Sequence, residues 1–313
     1  MYINLLNDYL KETFYEKVYK VSLNAGFTCP NRDGKIDTRG CIFCSKGGSG
    51  DFAQSPLLSI TEQIEKGKEL VKNKINSGKY IAYFQAYTNT YGPIDKLRSV
   101  FFEAINHPDI VALSIATRPD CIDKNIASLI QELNKIKPVF IELGLQTSNE
   151  KTAEFIRRGY KNQIFEQAVS LLEGINIVVH VIIGLPYETR DDLINTILYI
   201  NRFKIHGVKL QLLHILKDTD LYSYYLENHF EILNLEQYID LLLLAIRHLR
   251  RDIVIHRLTG DGPKKLLVEP KFSANKRMVL NYINKKLREE KVIQGELLPW
   301  FWRFYGTRAT YTL

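Results

Sequence analysis

The sequence predicts an α/β protein built as a partial (β/α)6 barrel of the TIM type. A short N-terminal cap covers residues 1–16, the barrel covers 17–263, and a basic C-terminal extension covers 264–313. Three observations lead there. Short β-branched and apolar runs alternate with longer amphipathic stretches, the pattern of βαβ units around a parallel sheet. No internal repeat, low-complexity segment or Pro/Gly/Ser-rich linker divides the chain, and one α/β barrel accommodates 313 residues of which 45% are hydrophobic. Finally, nearly every expected strand runs straight into polar residues. Periodicity alone does not separate a barrel from an open doubly wound sheet; the strand ends favour the barrel, whose C-terminal face carries the active site.

The elements follow in order. A first strand is expected in "KVYKVSL" (17–23), then a helix over 60–76 and a strand in "KYIAYFQAY" (79–87) that exits into "TNTYG". "IVALSIAT" (110–117) leads into "RPDC" and a helix over 122–136; "PVFIELGL" (138–145) leads into "QTSNE". After a helix over 162–173, "INIVVHVIIGL" (175–185) ends in "PYETRDD" and a helix over 189–203. "GVKLQLLHIL" (207–216) is followed by "KDTD", and "DIVIH" (252–256) is a seventh strand. Asn, Asp, Thr and Gly are turn formers in any case, which accounts for "KDTD". Turn formation accounts poorly for the aromatics and Arg of "QAYTNTY" and "TRPDC".

Composition narrows the setting. The N-terminal stretch is charged throughout and lacks a signal peptide's apolar core. The longest apolar run, "LLLLAI" (241–246), is too short to span a bilayer. A cytoplasmic protein with no membrane association is expected, and there closely spaced cysteines are metal ligands or catalytic groups rather than disulfides. The 42 Lys+Arg against 35 Asp+Glu give a formal charge of +7, compatible with nucleic acid without requiring it.

Cys29, Cys41 and Cys44 lie within sixteen consecutive residues as C-x11-C-x2-C, with no fourth Cys or His nearby. Structural zinc calls for four ligands, commonly in two pairs. Three thiolates on a 4Fe-4S cluster leave one iron open for chemistry, so the spacing favours a cluster over zinc. The glycine-rich "SKGGSGDF" (45–52) lacks the P-loop pattern and reads as backbone closing over the cysteines.

With these motifs the sequence resembles the radical S-adenosylmethionine (SAM) superfamily over roughly residues 15–260. Within it, the likeness is to the YhcC/YtqA subfamily, related to the catalytic subunit of elongator. The resemblance rests on "FTCPNRDG" leading into "GCIFC", then "TRPD", "IELGLQT", "RRGY" and "VIIGLPYET" in that order. It implies that Cys29, Cys41 and Cys44 hold a 4Fe-4S cluster whose fourth iron is chelated by SAM. Reductive cleavage would then yield a 5′-deoxyadenosyl radical, the cofactor carrying the hard chemistry.

The resemblance also implies roles for other residues. Where many members have GGE after the second strand, this chain has "FQAYTNT", so Gln85, Tyr87 and Asn89 are the candidates there. Glu142 would bind the ribose hydroxyls, or else be an ion-paired barrel carboxylate, since an inward carboxylate on an apolar strand needs partners. Arg158 would pair with the methionine carboxylate, with Arg157 as the alternative. Gly184 and Leu185 would meet adenine, and Thr117 and Asp120 would floor the site. Cys121 is expected to be an ordinary small residue.

The implied substrate is tRNA, converted at the wobble uridine from carboxymethylaminomethyl toward aminomethyl, with an electron donor such as flavodoxin or ferredoxin. The tail, a cationic helix followed by the aromatic-rich "LLPWFWRFYGTRATY", could follow a phosphate backbone and stack bases, or could cap the barrel. A radical enzyme acting on a small molecule or peptide, and a non-catalytic zinc-bearing nucleic-acid module, are the alternatives.

Overall fold

The computed structural model of the chain describes residues 3–48, 50, 53–74, 78–260 and 262–299. Its strands are β1 (Tyr19–Leu23), β2 (Tyr80–Phe84), β3 (Ile110–Thr117), β4 (Val139–Gln146), β5 (Asn176–Ile183), β6 (Gly207–Leu212), β7 (Ile215–Leu216), β8 (Val254–Arg257) and β9 (Leu267–Glu269). The helices are α1 (Leu6–Phe14), α2 (Ile60–Val71), α3 (Ile94–Asn106), α4 (Lys124–Asn134), α5 (Glu150–Phe155), α6 (Asn162–Leu171), α7 (Arg190–Asn201), α8 (Asp220–Asn228), α9 (Leu235–His248) and α10 (Lys276–Glu289).

Strand order settles the architecture. The main sheet has seven strands in the order β1-β2-β3-β4-β5-β6-β8, and every pair is parallel. A doubly wound sheet reverses its strand order at a switch point. This one never does, so it is the curled sheet of a partial barrel. The barrel stays open between β1 and β8. The N-terminal segment lies along the outer edge of β8, where Ile255 N donates to Asn4 O at 2.7 Å and Leu5 bridges Ile255.

Alternation along the strands divides the molecule into two environments. One face of each strand, with Val21, Phe84, Ile115, Ile141, Val179 and Leu210, joins the helices in the main core. The other face lines the barrel. At its lower end Ile81, Ala112, Phe140 and Val178 pack around Leu10 of α1, which plugs the barrel. Higher on the same faces come Lys20, Tyr83, Ser114, Glu142, His180 and Lys209.

The expected strand over 207–216 is two strands. After Leu212 the chain turns out of the barrel, and Ile215–Leu216 pairs antiparallel with β9, a segment of the basic tail. The expected strand over 175–185 stops at Ile183, because Gly184 takes φ +89. "KDTD", expected as a turn, turns at 217–218 and then starts a helix, where Thr219 accepts from Tyr222 N at the head of α8. Thr189 of "PYETRDD" does the same for α7 in a capping box with Asp192. In the tail, Val279, Ile283 and Leu287 of α10 belong to the main core. None of the helices among the described residues is long and apolar enough to cross a membrane.

Candidate active site

The cysteines sit on a loop that leaves β1 and, among its described residues, has no regular secondary structure until α2. Its shape is set by hydrogen bonds. Cys29 O accepts from Arg32 N (2.8 Å) and Asp33 N (3.2 Å), and Cys44 N donates to Cys41 O (3.0 Å). The Arg32 guanidinium braces the far side, donating to Cys44 O (2.7 Å) and Ser45 O (2.8 Å). Gly40 (φ +80) lies against that side chain, and a Cβ there would come within 2.8 Å of Arg32 Nε. Asn31 Nδ2 ties the loop to Arg157 O (2.7 Å). Tyr87 (φ 57) ties it to β2, donating its backbone N–H to Gly48 O (2.9 Å) and its hydroxyl to Lys46 O (2.5 Å).

These bonds bring Cys29, Cys41 and Cys44 to one cavity of about 150 Å³ at the C-terminal mouth of the barrel. Gln85, Tyr87, Thr117, Glu142 and Arg158 line it too. Asn89, Gly184 and Leu185 do not. Asn89 is buried and its amide clamps the ends of β2 and β3, donating to Ala86 O (3.1 Å) and Ala116 O (3.0 Å). Leu185 packs with Ile42, Ile156 and Ile182 in a separate apolar cluster. Cys121 lies in a different cleft, beside Tyr91 and Lys96.

All four cysteines are free thiols. Burial pushes Cys41 up, and burial with the neighbouring Cys41 pushes Cys44 up to about 11 against the pull of Arg32. Such thiols ionise when a metal takes the proton's place. The three sulfurs do not all lie within 4.8 Å of one another. Tetrahedral zinc with bonds of about 2.3 Å would hold its sulfurs about 3.8 Å apart. The wider spacing and the soft donor set suit a multi-iron cluster.

Glu142 has no exposed surface. Its Oε1 accepts from Lys20 Nζ (2.8 Å) and Ser114 Oγ (2.6 Å). Its Oε2 accepts from His180 Nε2 (2.8 Å) and from Lys209 Nζ. A carboxylate has about four acceptor sites, so the ribose role implied by resemblance finds no free acceptor in this arrangement. Burial alone would raise its pKa; Lys20 and Lys209, with His180, hold it well below the usual range. The same burial pushes His180 down to about 4 and, with Lys20 and Arg257 opposing the gain from Glu142, pushes Lys209 down to about 7.

Arg158 is likewise committed within the chain. Its guanidinium, 2% exposed, donates to Tyr160 O, Leu145 O and Thr147 O and to Asn162 Oδ1, with Glu150 at 3.4 Å. That fork holds the β4 exit loop and leaves no donor for a methionine carboxylate. Arg157 pairs with Asp220 (2.6 Å). Thr117 shares a hydrogen bond with Thr90 (2.6 Å), and Asp120 is held by the Arg118 fork (2.9 and 2.8 Å).

Sequence reasoning missed several residues at this cavity: Arg32, Arg118, Gln146, Tyr160 and His180. It also missed Lys20 and Lys209. For Lys20, His180 and Lys209 a signal existed, one polar residue in the middle of an apolar run.

Residues 34–200 match the family model of the radical SAM superfamily, and residues 205–289 match that of the radical SAM C-terminal domain. The chain is 40% identical to YtqA of Bacillus subtilis, over 93% of this chain and 91% of that protein. It is 32% identical to YhcC of Escherichia coli, over 95% and 96%. A tRNA uridine(34) acetyltransferase of Methanocaldococcus jannaschii is 26% identical over 56% of this chain and 33% of its own length. Among solved structures, archaeal Elp3 of Methanocaldococcus infernus superposes with a TM-score of 0.66 at 18% identity, covering 88% of this chain and 64% of that one. The chain belongs to the radical SAM superfamily: it is an enzyme whose cofactors are a 4Fe-4S cluster and SAM, and it requires a reductant.

Proposed function

We propose that this radical SAM enzyme modifies the wobble uridine of tRNA, converting a carboxymethylaminomethyl group toward aminomethyl so that a separate methyltransferase can complete the modification. The reading follows from what the subfamily resemblance implies, near full-length similarity to YtqA being to a member of that subfamily, and weaker similarity to an enzyme whose name places it at uridine 34 of tRNA supports it. The observation that carries it is α10. One stripe of the helix is sunk in the core while Lys276, Arg277, Lys285 and Arg288 face outward. Residues 264–313 then form a tRNA-binding arm on a barrel over 17–263 capped by 1–16. The aromatic segment Trp300–Tyr305, expected to stack bases, lies outside the described residues.

Within the site, Cys29, Cys41 and Cys44 would hold the cluster, which when bound would supply the electron for reductive cleavage of SAM and hydrogen-atom abstraction from substrate. Arg32 and Asn31 fix the loop so that the three thiols face one space. Gln85, Tyr87 and Thr117 face SAM, Tyr87 also bracing the loop. Arg158 and Asn89 hold the strand exits that shape the cavity, and Gly184 and Leu185 back the loop after β5. The α1 plug closes the lower end of the barrel. A flavodoxin or ferredoxin delivers the electron, in a cytoplasmic setting.

Nucleoside analysis of tRNA tests the reading. Cells lacking the gene should accumulate the carboxymethylaminomethyl form and lose the aminomethyl form. Unchanged nucleosides would overturn it and favour a small molecule that fits within the barrel. In vitro, reversing the charges on α10 should weaken tRNA binding and flatten its log–log salt dependence by about 0.7 to 0.9 for each phosphate no longer neutralised.

A further inference from the structure

Seven described residues other than glycine take positive φ. Four of them end helices, where a left-handed residue is a common stop: Tyr15 after α1, Arg157 after α5, His229 after α8 and Lys291 after α10. The other three stand on strand exits at the mouth of the barrel: Tyr87 after β2, Gln146 at the end of β4 and Tyr187 after β5. Tyr87 and Gln146 line the cluster cavity. Tyr187 does not.

Tyr187 is also an awkward residue for its place. Glu188 N donates to Leu185 O (3.2 Å) and closes a turn with Pro186 and Tyr187 at its centre. Proline followed by a residue at φ 66 is the type II pattern, whose second central position favours glycine. A bulky side chain held in that conformation is strained, and such strain collects at ligand sites. The contacts of Tyr187 orient the ring without burying it. It meets Phe155 edge to face (5.8 Å between ring centres) and shares a hydrogen bond with the Tyr224 hydroxyl (2.7 Å), yet 66% of the residue stays exposed.

The ring stands on the rim of the site. Phe155 precedes Ile156, which lines the cluster cavity and whose carbonyl accepts from Ile42 N in the cysteine loop (3.1 Å). One side-chain layer thus separates Tyr187 from the cavity. A base delivered into the mouth leaves its neighbours in the strand outside, and unpaired bases of RNA loops stack on exposed aromatic rings. We infer that Tyr187 is the stacking platform for the anticodon-loop base next to the one delivered to the barrel. The inference rests on the wobble-uridine reading and adds to it a base contact at the mouth. Stacking accepts any base, so the platform fixes where the loop sits without reading its sequence.

The test measures binding of anticodon stem-loops to reconstituted holoenzyme with SAM. Tyr187→Ala should weaken binding by about fivefold or more, the loss of one base stack. Tyr187→Phe, which keeps the ring and gives up the hydroxyl bond, should stay within about twofold of the parent. Stem-loops lacking a single base, on either side of the wobble uridine, supply the second arm. At one of those two positions the missing base should cost the parent about as much as Tyr187→Ala does, and the two losses should not add. A variant that folds poorly would weaken intact and abasic stem-loops alike, so the coupling isolates the stack. Parental affinity in Tyr187→Ala, or losses that add at both positions, overturns the platform. If the losses are coupled but the wobble uridine is never converted, the wobble-uridine reading fails and the platform stands. If Tyr187→Ala binds as the parent does and converts the uridine, the platform fails and the reading stands. A parent that binds no stem-loop overturns both.

Discussion

Glu142 and Cys44 border the same cavity, yet they are held in opposite ways. Glu142 projects from the middle of a strand, and its four donors come from β1, β3, β5 and β6. Each of those strands is fixed by its neighbours in the sheet, so the carboxylate is saturated. Cys44 lies on a loop whose described residues form no regular secondary structure, held by backbone carbonyls that meet Arg32 and by short turns. Its thiol is left for something outside the chain. The polar layer therefore belongs to folding as much as to chemistry, and the loop to chemistry almost alone.

That contrast can be broken most directly at the cysteines. Ala at Cys29, Cys41 or Cys44 should abolish iron binding after anaerobic reconstitution, where the parent takes up about four irons per chain, while the metal-free variants melt close to the metal-free parent. Melting well below it would mean that the thiols also hold the fold. The converse experiment is Glu142→Ala, which strands Lys20 and Lys209 in the barrel. Removing one partner of a buried pair costs about 3–5 kcal/mol, so denaturant unfolding of the metal-free protein should show a loss of that size. A loss under about 1 kcal/mol would show that the layer is not structural.

A third experiment sharpens the same line at Glu188, on the loop after β5. Burial, with Asp192 nearby, raises it from 4.5 to about 7, against its bond from Thr147. Between pH 4.5 and 7 the folded state then binds more protons than the unfolded state. Stability should fall as pH rises through that window, by up to about 3 kcal/mol. Glu188→Gln should flatten that slope and stabilise the metal-free protein at pH 8; an unchanged slope would assign it to other groups. The smallest effect belongs to Cys121→Ala, which should leave both iron content and SAM cleavage at parental levels. Lost iron there would make Cys121 a ligand.

The barrel was legible because its strands are runs of β-branched and apolar residues whose pairing follows chain order. The split of 207–216 was not, because two residues of β7 leave the sheet to meet β9 some fifty positions later, and no local pattern records such a pairing. At the site, the cysteine spacing and the polar strand exits located the cavity, and the subfamily resemblance pointed to Gln85, Thr117 and Glu142, which do line it. Arg158 was expected to be an anion ligand because "RRGY" resembles a subfamily motif and a guanidinium binds carboxylates bidentately. Its acceptors are carbonyls of Leu145, Thr147 and Tyr160, whose directions depend on backbone geometry rather than residue type. The cationic layer went unread for a related reason: each of its members is one polar residue in an apolar run, and only closing the barrel brings Lys20, His180 and Lys209 around one carboxylate.

The plug formed by α1 makes the barrel a blind alley. With Leu10 wedged among Ile81, Ala112, Phe140 and Val178, nothing travels through it from end to end. Whatever settles against the plug reaches it from the cysteine-loop side or the open seam, and has to leave by the same routes.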